Sequence, residues 1–183
     1  IAYDIGLANM VLNHITAKID LAYDDGGQLA QKGRLLPKLL NDLNKLEYYQ
    51  QPFPKSTGFE WFMEQVVPIL DHYDNDPKDL LHTCIHHICE QIVVQVNLNR
   101  SQKEASMLVT GGGAMNGYLI RVLQEQLGAK VKLVIPPSEI IAFKEALVFA
   151  LMGVLKMVNE TNVLSSVTGA SKDSSSGIIY EPQ

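Results

Sequence analysis

The stretch SMLVTGGGAMNGYLIRVLQEQLGAKVKLVIPP, residues 106–137, carries the pattern that decides the fold. Residues 106–110 are apolar enough for a buried strand, and they run directly into the three glycines 111–113. A helical pattern follows over residues 116–128, and a second apolar run, 131–135, is stopped by two prolines. A strand, a helix and a second strand in this order predict an α/β fold with a parallel sheet.

The rest of the chain predicts mostly helices. Residues 142–158 are apolar on almost every side, which is typical of a helix buried between layers. Periodic apolar positions predict helices in the first half as well, and apolar runs predict a short strand at each end of the chain. The helical patterns cover residues 9–19, 29–46, 59–70 and 79–99, and the short strands cover residues 1–5 and 178–180.

The composition describes a globular chain and excludes several classes of protein. Hydrophobic residues make up 46% of the 183 residues, charged residues make up 19%, and the mean hydropathy is +0.03. The net charge of −5 does not fit a nucleic-acid binder, and no apolar run is long enough to span a bilayer. Cys84 and Cys89 do not form a disulfide framework, so we expect a reduced, cytoplasmic protein.

The three glycines that follow the first predicted strand are candidates for binding a nucleotide. In α/β sheets, ligands lie at the carboxyl ends of strands, and backbone N–H groups before a helix favour phosphate. Asn116 could cap that helix or hydrogen-bond a sugar or base. The alternative for Gly111, Gly112 and Gly113 is a tight turn that binds nothing. Neither the Walker loop nor the dinucleotide fingerprint is present.

Two carboxylates are candidates for chemistry. Asp4 ends the short strand and precedes small residues, so it could act as a general base in phosphoryl transfer. Its alternative is a helix cap or a surface turn. Glu145, beside Lys144 at the start of the apolar helix, could hold a substrate hydroxyl in the same cleft as the glycines. Its alternative is a favourable interaction with the helix N-terminus.

Other polar residues suggest structural roles. His82, His86 and Cys89 fall on one face of a helix, but three ligands on one helix need a fourth from elsewhere, so we expect packed side chains and no metal site. The Asp24–Asp25 turn lacks calcium-ligand spacing. Ser56 or Thr57 could cap the helix that begins near Phe59.

Taken together, these segments resemble the C-terminal half of anhydro-N-acetylmuramic acid kinases. Asp4-Ile5-Gly6-Leu7-Ala8-Asn9 is similar to the family's Asp-Thr-Gly-Pro-Gly-Asn motif. Five further segments match family signatures in the family's order. They are Tyr23-Asp24 with the following glycines, Pro54–Gly58, Thr110–Asn116, Lys144–Leu147 and Ser166–Ser171.

The resemblance implies a ribonuclease-H-like domain of the actin-like and hexokinase-like ATPase superfamily, with a central mixed sheet flanked by helices. The family uses ATP and Mg²⁺ to open the anhydro bond of 1,6-anhydro-N-acetylmuramic acid with water and to phosphorylate the sugar, in peptidoglycan recycling. The implied roles are Asp4 as the base, Asn9 and Glu145 as sugar contacts, and Gly6, Gly111, Gly112, Gly113 and Asn116 as nucleotide contacts.

The resemblance also implies what else the activity needs. Residues 1–183 would be one domain, and its partner would be an N-terminal domain with a Ser-Gly-Thr-Ser phosphate loop that these residues lack. The fragment alone would then be inactive, and a homodimer stays open as an alternative for the oligomeric state. Ile5, Leu7 and Ala8 replace Thr, Pro and Gly of the family motif. These departures favour an alternative, a domain that binds sugar, nucleotide or a partner without turnover.

Overall fold

The computed structural model describes residues 2–100 and 104–180, and the chain forms two compact units. The larger unit comprises residues 4–136, and the smaller comprises residues 1–3 with 137–183. The helices are α1 (Asn9–Ala17), α2 (Pro37–Asn44), α3 (Phe59–Trp61), α4 (Val67–Asp71), α5 (Pro77–Asn99), α6 (Gly117–Leu127), α7 (Ser138–Met157) and α8 (Ser165–Thr168). A π-helical segment, Phe62–Val66, joins α3 to α4, and the strands are β1 (Ala105–Leu108) and β2 (Val131–Val134).

Helix α5 is the centre of the larger unit. It begins at Pro77, a favoured first helical residue, and the Asp76 side chain caps it by accepting a hydrogen bond from the Lys78 amide at 3.0 Å. The predicted apolar stripe is buried at Leu81 and Ile85, which are 1% and 0% exposed. Helices α1, α2 and α6 pack on α5, so the core of this unit forms around it.

The sheet of the larger unit is the predicted strand–helix–strand motif. Strands β1 and β2 pair in parallel, with Ala105 opposite Val131 and Leu108 opposite Val134, and α6 connects them. Val131 is buried against the core while Leu108 is exposed on the other face. The described residues therefore show an α/β fold with a small parallel sheet. Within these residues, the sheet consists of β1 and β2 alone.

The two short strands predicted at the chain ends are wrong for the described residues. Residues 2–5 are not a strand, because the Asp4 amide bonds a loop carbonyl, that of Lys55, at 3.1 Å; Ile1 lies outside the described residues. Residues 178–180 are exposed and carry no strand. Among the described residues of the smaller unit, the β-pairing is instead one antiparallel bridge between Val163 and Ser174.

Helix α7 is present, but its predicted burial is wrong. None of its 20 residues is buried, and Phe143 and Phe149 are 67% and 69% exposed. Its apolar composition favours burial, yet the rest of its described unit is loop and the four-residue helix α8, too little surface to cover it. Although α7 is apolar, no helix in the described parts of the chain is long and apolar enough to cross a membrane.

Candidate functional site

A cavity of about 380 Å³ lies in the larger unit where three segments meet. These segments are the first turns of α1, the turn that begins at Tyr23, and the glycine turn that precedes α6. The lining residues are Asn9, Leu12, Asn13, Tyr23, Asp24, Asp25, Gly26, Gly112, Met115 and Asn116. Of the predicted site residues, the fold thus brings Asn9, Gly112 and Asn116 to one cavity.

The glycine turn places bare backbone against the side chain of Asn9. Gly111 has φ +78°, and its carbonyl accepts a hydrogen bond from the Ala114 amide at 3.0 Å, which closes the turn. A Cβ atom on Gly112 would lie 2.6 Å from Nδ2 of Asn9. The absence of a side chain at Gly112 therefore lets the Asn9 amide approach the turn, and Gly113 lies near the same residue.

Asn116 caps α6, one of the two roles predicted for it. Its Oδ1 accepts a hydrogen bond from the Leu119 amide at 3.0 Å, and the residue is only 8% exposed. Gly27, with φ +75°, lies so close that a Cβ atom there would clash with the Asn116 side chain and lie 2.6 Å from Cβ of Tyr118. Asn116 both caps α6 and lines the cavity, because α6 begins at the cavity wall.

Asp24 stabilises another wall of the cavity, a role that the sequence motifs did not predict. Its two carboxylate oxygens accept hydrogen bonds from the Leu29 and Ala30 amides, at 2.8 Å and 2.9 Å. Both oxygens of this buried group thus bond backbone rather than point into open space. The neighbouring Asp25 is exposed and also lines the cavity. A carboxylate followed by glycines is a turn signal, but its capping partners five and six residues later became evident only from the fold.

The Asp4 carboxylate is exposed and is held by the loop that follows Pro54. One of its oxygens, Oδ2, accepts hydrogen bonds from the Ser56 hydroxyl and the Thr57 amide, each at 3.0 Å. The Tyr48 hydroxyl donates to the Asp4 carbonyl at 2.7 Å. Burial, with a smaller contribution from the Asp4 charge, raises the pKa of Tyr48 to about 12, so this donor keeps its proton at neutral pH. Asp4 is therefore an oriented carboxylate open to solvent.

The prediction that Ser56 or Thr57 caps the next helix is wrong. The N-cap of α3 is Gly58, and no side chain caps that helix. The hydroxyl of Ser56 bonds the Asp4 side chain instead, because the chain brings these two loops together across 52 residues. Neither Asp4 alternative, a cap or a plain surface turn, describes this arrangement.

Glu145 lies in the smaller unit, exposed on α7. It was predicted at the start of the helix, but α7 begins at Ser138, seven residues earlier (145 − 138), which is about two turns. The helix begins earlier because Pro137 is its N-cap, so Ser138 is already helical. The interaction with the helix N-terminus is thereby excluded, since that effect is confined to the first turn. Its role as a sugar contact stays a prediction.

The histidines of α5 are packed side chains. The Nδ1 atom of His82 lies 3.0 Å from the Ala30 carbonyl and 2.9 Å from the Tyr118 hydroxyl, and its ring stacks on His86 at 4.6 Å between centroids. The Cys89 thiol donates to the Leu119 carbonyl at 3.7 Å. In the described ranges, no three His, Cys, Asp or Glu side chains are grouped so that they could hold a metal ion.

Comparisons with known proteins agree on one family. The protein-family model for anhydro-N-acetylmuramic acid kinase matches residues 1–182. A protein named anhydro-N-acetylmuramic acid kinase from Hydrogenovibrio crunogenus is 33% identical over the whole chain, and one of the same name from Aliivibrio fischeri is 31% identical over 98% of it. A third protein of that name, from Psychrobacter arcticus, is 33% identical over 94% of the chain. The chain spans about half the length of the curated relatives it matches, 50%, 50% and 42% in these three.

Proposed function

Because the chain belongs to the anhydro-N-acetylmuramic acid kinase family, we propose that it is the C-terminal half of an ATP-dependent kinase. The substrate of the whole protein is 1,6-anhydro-N-acetylmuramic acid, and the product is N-acetylmuramic acid 6-phosphate. The partner of this chain is the N-terminal half, which supplies a phosphate loop and the other side of the nucleotide cleft. The observation that carries the proposal is the cavity in which Asn9 meets the glycine turn, five residues after Asp4 (9 − 4).

The glycine turn on the cavity wall supports a nucleotide site here. The turn offers bare backbone at Gly111 and Gly113, where an added Cβ atom would have no neighbour closer than 4.0 Å, while Gly112 admits the Asn9 amide, so a phosphate or ribose can lie against this turn. None of the described residues that line the cavity is Lys or Arg, and we expect backbone N–H groups and the metal that accompanies ATP to balance the phosphate charge. Mg²⁺ supplies that neutralisation when bound. Asp25, an exposed carboxylate on the wall, would face it.

Asp4 acts as the general base. It accepts a proton from the water that attacks the anomeric carbon of the sugar, while the bond from that carbon to O6 breaks and O6 takes the γ-phosphoryl group of ATP. Ser56 and Thr57 bind Oδ2 and so orient the carboxylate, which leaves Oδ1 to accept the proton. The resemblance assigns Asn9 to the sugar and Gly6 to the phosphates, and Glu145 in the smaller unit stays a candidate sugar contact.

A fused enzyme tests the catalytic assignment. The chain is joined behind the first half of the Hydrogenovibrio crunogenus relative, and sugar-dependent ADP release is measured. Asp4→Asn should lower kcat by about a hundredfold or more, the scale of a lost general base. The matched control is Asp74→Asn, which removes an exposed carboxylate of the same unit and should keep full turnover. Full turnover in Asp4→Asn contradicts the role of Asp4.

Binding by the chain itself tests the cavity. In calorimetry with a non-hydrolysable ATP analogue, Gly112→Ala should weaken binding about tenfold or more, since the added methyl group meets the Asn9 amide. Gly153→Ala is the control, because a Cβ atom there meets open space. Equal affinities in both variants would place the nucleotide elsewhere. Sugar or nucleotide binding by a fused protein without ADP release would favour the non-catalytic binding domain.

A further inference from the structure

The segment from Asp4 to Gly6 rests on two consecutive tyrosines. The Tyr48 hydroxyl bonds the Asp4 carbonyl, and the Tyr49 ring lies directly against Gly6. A Cβ atom on Gly6 would be 2.9 Å from Cε1 of Tyr49 and 3.1 Å from its hydroxyl oxygen. The position of the Tyr49 ring therefore sets how the backbone runs immediately after Asp4.

The Tyr49 ring is held by a partly buried series of hydrogen bonds. Its hydroxyl lies 3.0 Å from Nε2 of His87, and Nδ1 of His87 lies 2.7 Å from Oδ1 of Asn44. Asn44 Nδ2 donates to the Glu90 carboxylate at 2.8 Å, and Gln91 Nε2 donates to Asn44 Oδ1 at 2.9 Å, which fixes the Asn44 oxygen as the acceptor. His87 must then carry its proton on Nδ1, so Nε2 accepts the proton of the Tyr49 hydroxyl.

These hydrogen bonds require a neutral His87. The side chain is 4% exposed, and its ring meets Tyr49 edge to face at 4.9 Å between centroids. Burial lowers the pKa of His87 to about 4, so the imidazole stays uncharged and Nε2 stays an acceptor near neutral pH. A neutral imidazole in one defined tautomer orients the Tyr49 hydroxyl through a hydrogen bond and adds no charge.

We propose that His87 is a positioning residue for the Asp4 carboxylate. It acts through Tyr49, which it orients against Gly6, and so it keeps Asp4 aligned with Ser56 and Thr57. The catalytic meaning of this alignment rests on the proposed function, whereas the alignment itself does not. His87 lies 38 residues from Tyr49 in sequence. It belongs to a histidine-rich stretch that otherwise suggested only packing or metal binding.

Two variants of the 183-residue chain separate positioning from packing. His87→Gln keeps an acceptor near Nε2, whereas His87→Leu fills similar space with no hydrogen-bonding group. Amide hydrogen exchange by NMR is followed at Asp4 and Thr57, whose amides bond Lys55 and the Asp4 carboxylate. In His87→Leu both amides should exchange about tenfold faster relative to Ile15 in α1, the effect of one lost hydrogen bond. In His87→Gln they should stay within about twofold of the parent chain.

Three outcomes contradict the proposal. One is exchange in His87→Leu that rises equally at Asp4, Thr57 and Ile15, because that is the mark of a general loss of stability. A second is a ring ¹⁵N spectrum of the parent chain that shows the proton of His87 on Nε2. Tyr49→Phe should repeat the effect of His87→Leu at Asp4 and Thr57, and exchange unchanged in that variant also contradicts the proposal.

The fused enzyme adds a kinetic readout. His87→Leu should lower kcat about tenfold and leave the KM for ATP unchanged, because the nucleotide cavity does not include this residue. His87→Gln should restore most of kcat. A KM change with kcat intact would contradict positioning of Asp4. If the fused enzyme releases no ADP at all, the proposed function fails, and the exchange measurements still decide whether His87 positions Asp4.

Discussion

The two long helices in the described part of the chain, α5 and α7, contrast in what surrounds them. Helix α5 has 23 residues, of which eight are buried, whereas α7 has 20 residues and none is buried. Yet α7 is the more apolar of the two, since α5 places histidines, glutamines and asparagines between its apolar positions. The apolar composition of a helix thus determines how much burial would stabilise it. Whether the helix is buried depends on how many other elements pack against it.

The covering of α5 comes from three directions. Helices α1, α2 and α6 pack against it, and their buried residues join its own in one core. Polar side chains of α5 are also satisfied there, as Thr83 shows by donating to the Asp79 carbonyl at 2.8 Å while accepting from the Leu36 amide at 2.9 Å. The smaller unit offers α7 only loops and α8 among its described residues.

The largest expected contrast comes from trimming one side chain in each helix. Ile85→Ala in α5 should lower the free energy of unfolding by about 2–5 kcal/mol, because the side chain is fully buried and leaves a cavity. Leu147→Ala in α7, where the side chain is 63% exposed, should change it by less than about 0.5 kcal/mol. Urea unfolding followed by far-UV circular dichroism measures both, and Trp61 fluorescence reports on the larger unit. Equal losses in the two variants would break the comparison.

The second contrast is in the response to acid. His87 has a pKa of about 4 when folded, below the usual value near 6.5, so the unfolded chain binds more protons between these pH values. Stability should therefore fall as the pH drops from about 6.5 to 4, by on the order of 3 kcal/mol. Burial also lowers the pKa of His86, which acts in the same direction.

Residues 137–183 contain no histidine, so this loss belongs to the larger unit. Urea midpoints from Trp61 fluorescence, measured at several pH values, give the slope of stability against pH. His87→Gln should remove most of the slope between pH 6.5 and 4. A variant with the parent slope would show that other groups, such as carboxylates, cause it.

The smallest contrast compares two carboxylates that each bond backbone. Asp24→Ala should cost about 1–3 kcal/mol, because it leaves the Leu29 and Ala30 amides without their acceptors beneath the surface. Asp173→Ala is the matched change in the smaller unit, where the carboxylate accepts from the Ser165 amide and hydroxyl but is exposed. Asp173→Ala should lower the free energy of unfolding less, because water can accept the hydrogen bonds that the exposed carboxylate accepted. Thermal unfolding of both variants checks the order, and a larger loss for Asp173→Ala would reverse it.

The parts of the fold that the sequence predicted are those with local signals. Gly128 and the two prolines at 136 and 137 delimit α6 and β2, and the apolar spacing in α5 gives its buried face. Predictions failed where the decisive contact is distant. Ser56 has the local appearance of a helix cap, yet its partner is Asp4, and residues 2–5 have the composition of a strand but no described strand to pair with.

The candidate site divides in the same way. The glycine turn and the cap at Asn116 follow from local pattern, because a strand, glycines and a helix in series define them. The approach of Asn9 to Gly112, and the support of Gly6 by Tyr49 and His87, depend on how distant segments fold together. Periodicity and turn chemistry describe neighbours along the chain, so such pairs are outside their reach.

The carboxylate of Asp24 has a consequence for how the cavity receives a ligand. It fastens the turn at the cavity wall to the Leu29 and Ala30 amides, and the Ala30 carbonyl in turn lies against His82 of α5. The wall is thereby tied to the best-packed helix of the chain. A nucleotide that binds here, as proposed above, would therefore meet a wall already held in place, which lowers the conformational entropy lost on binding.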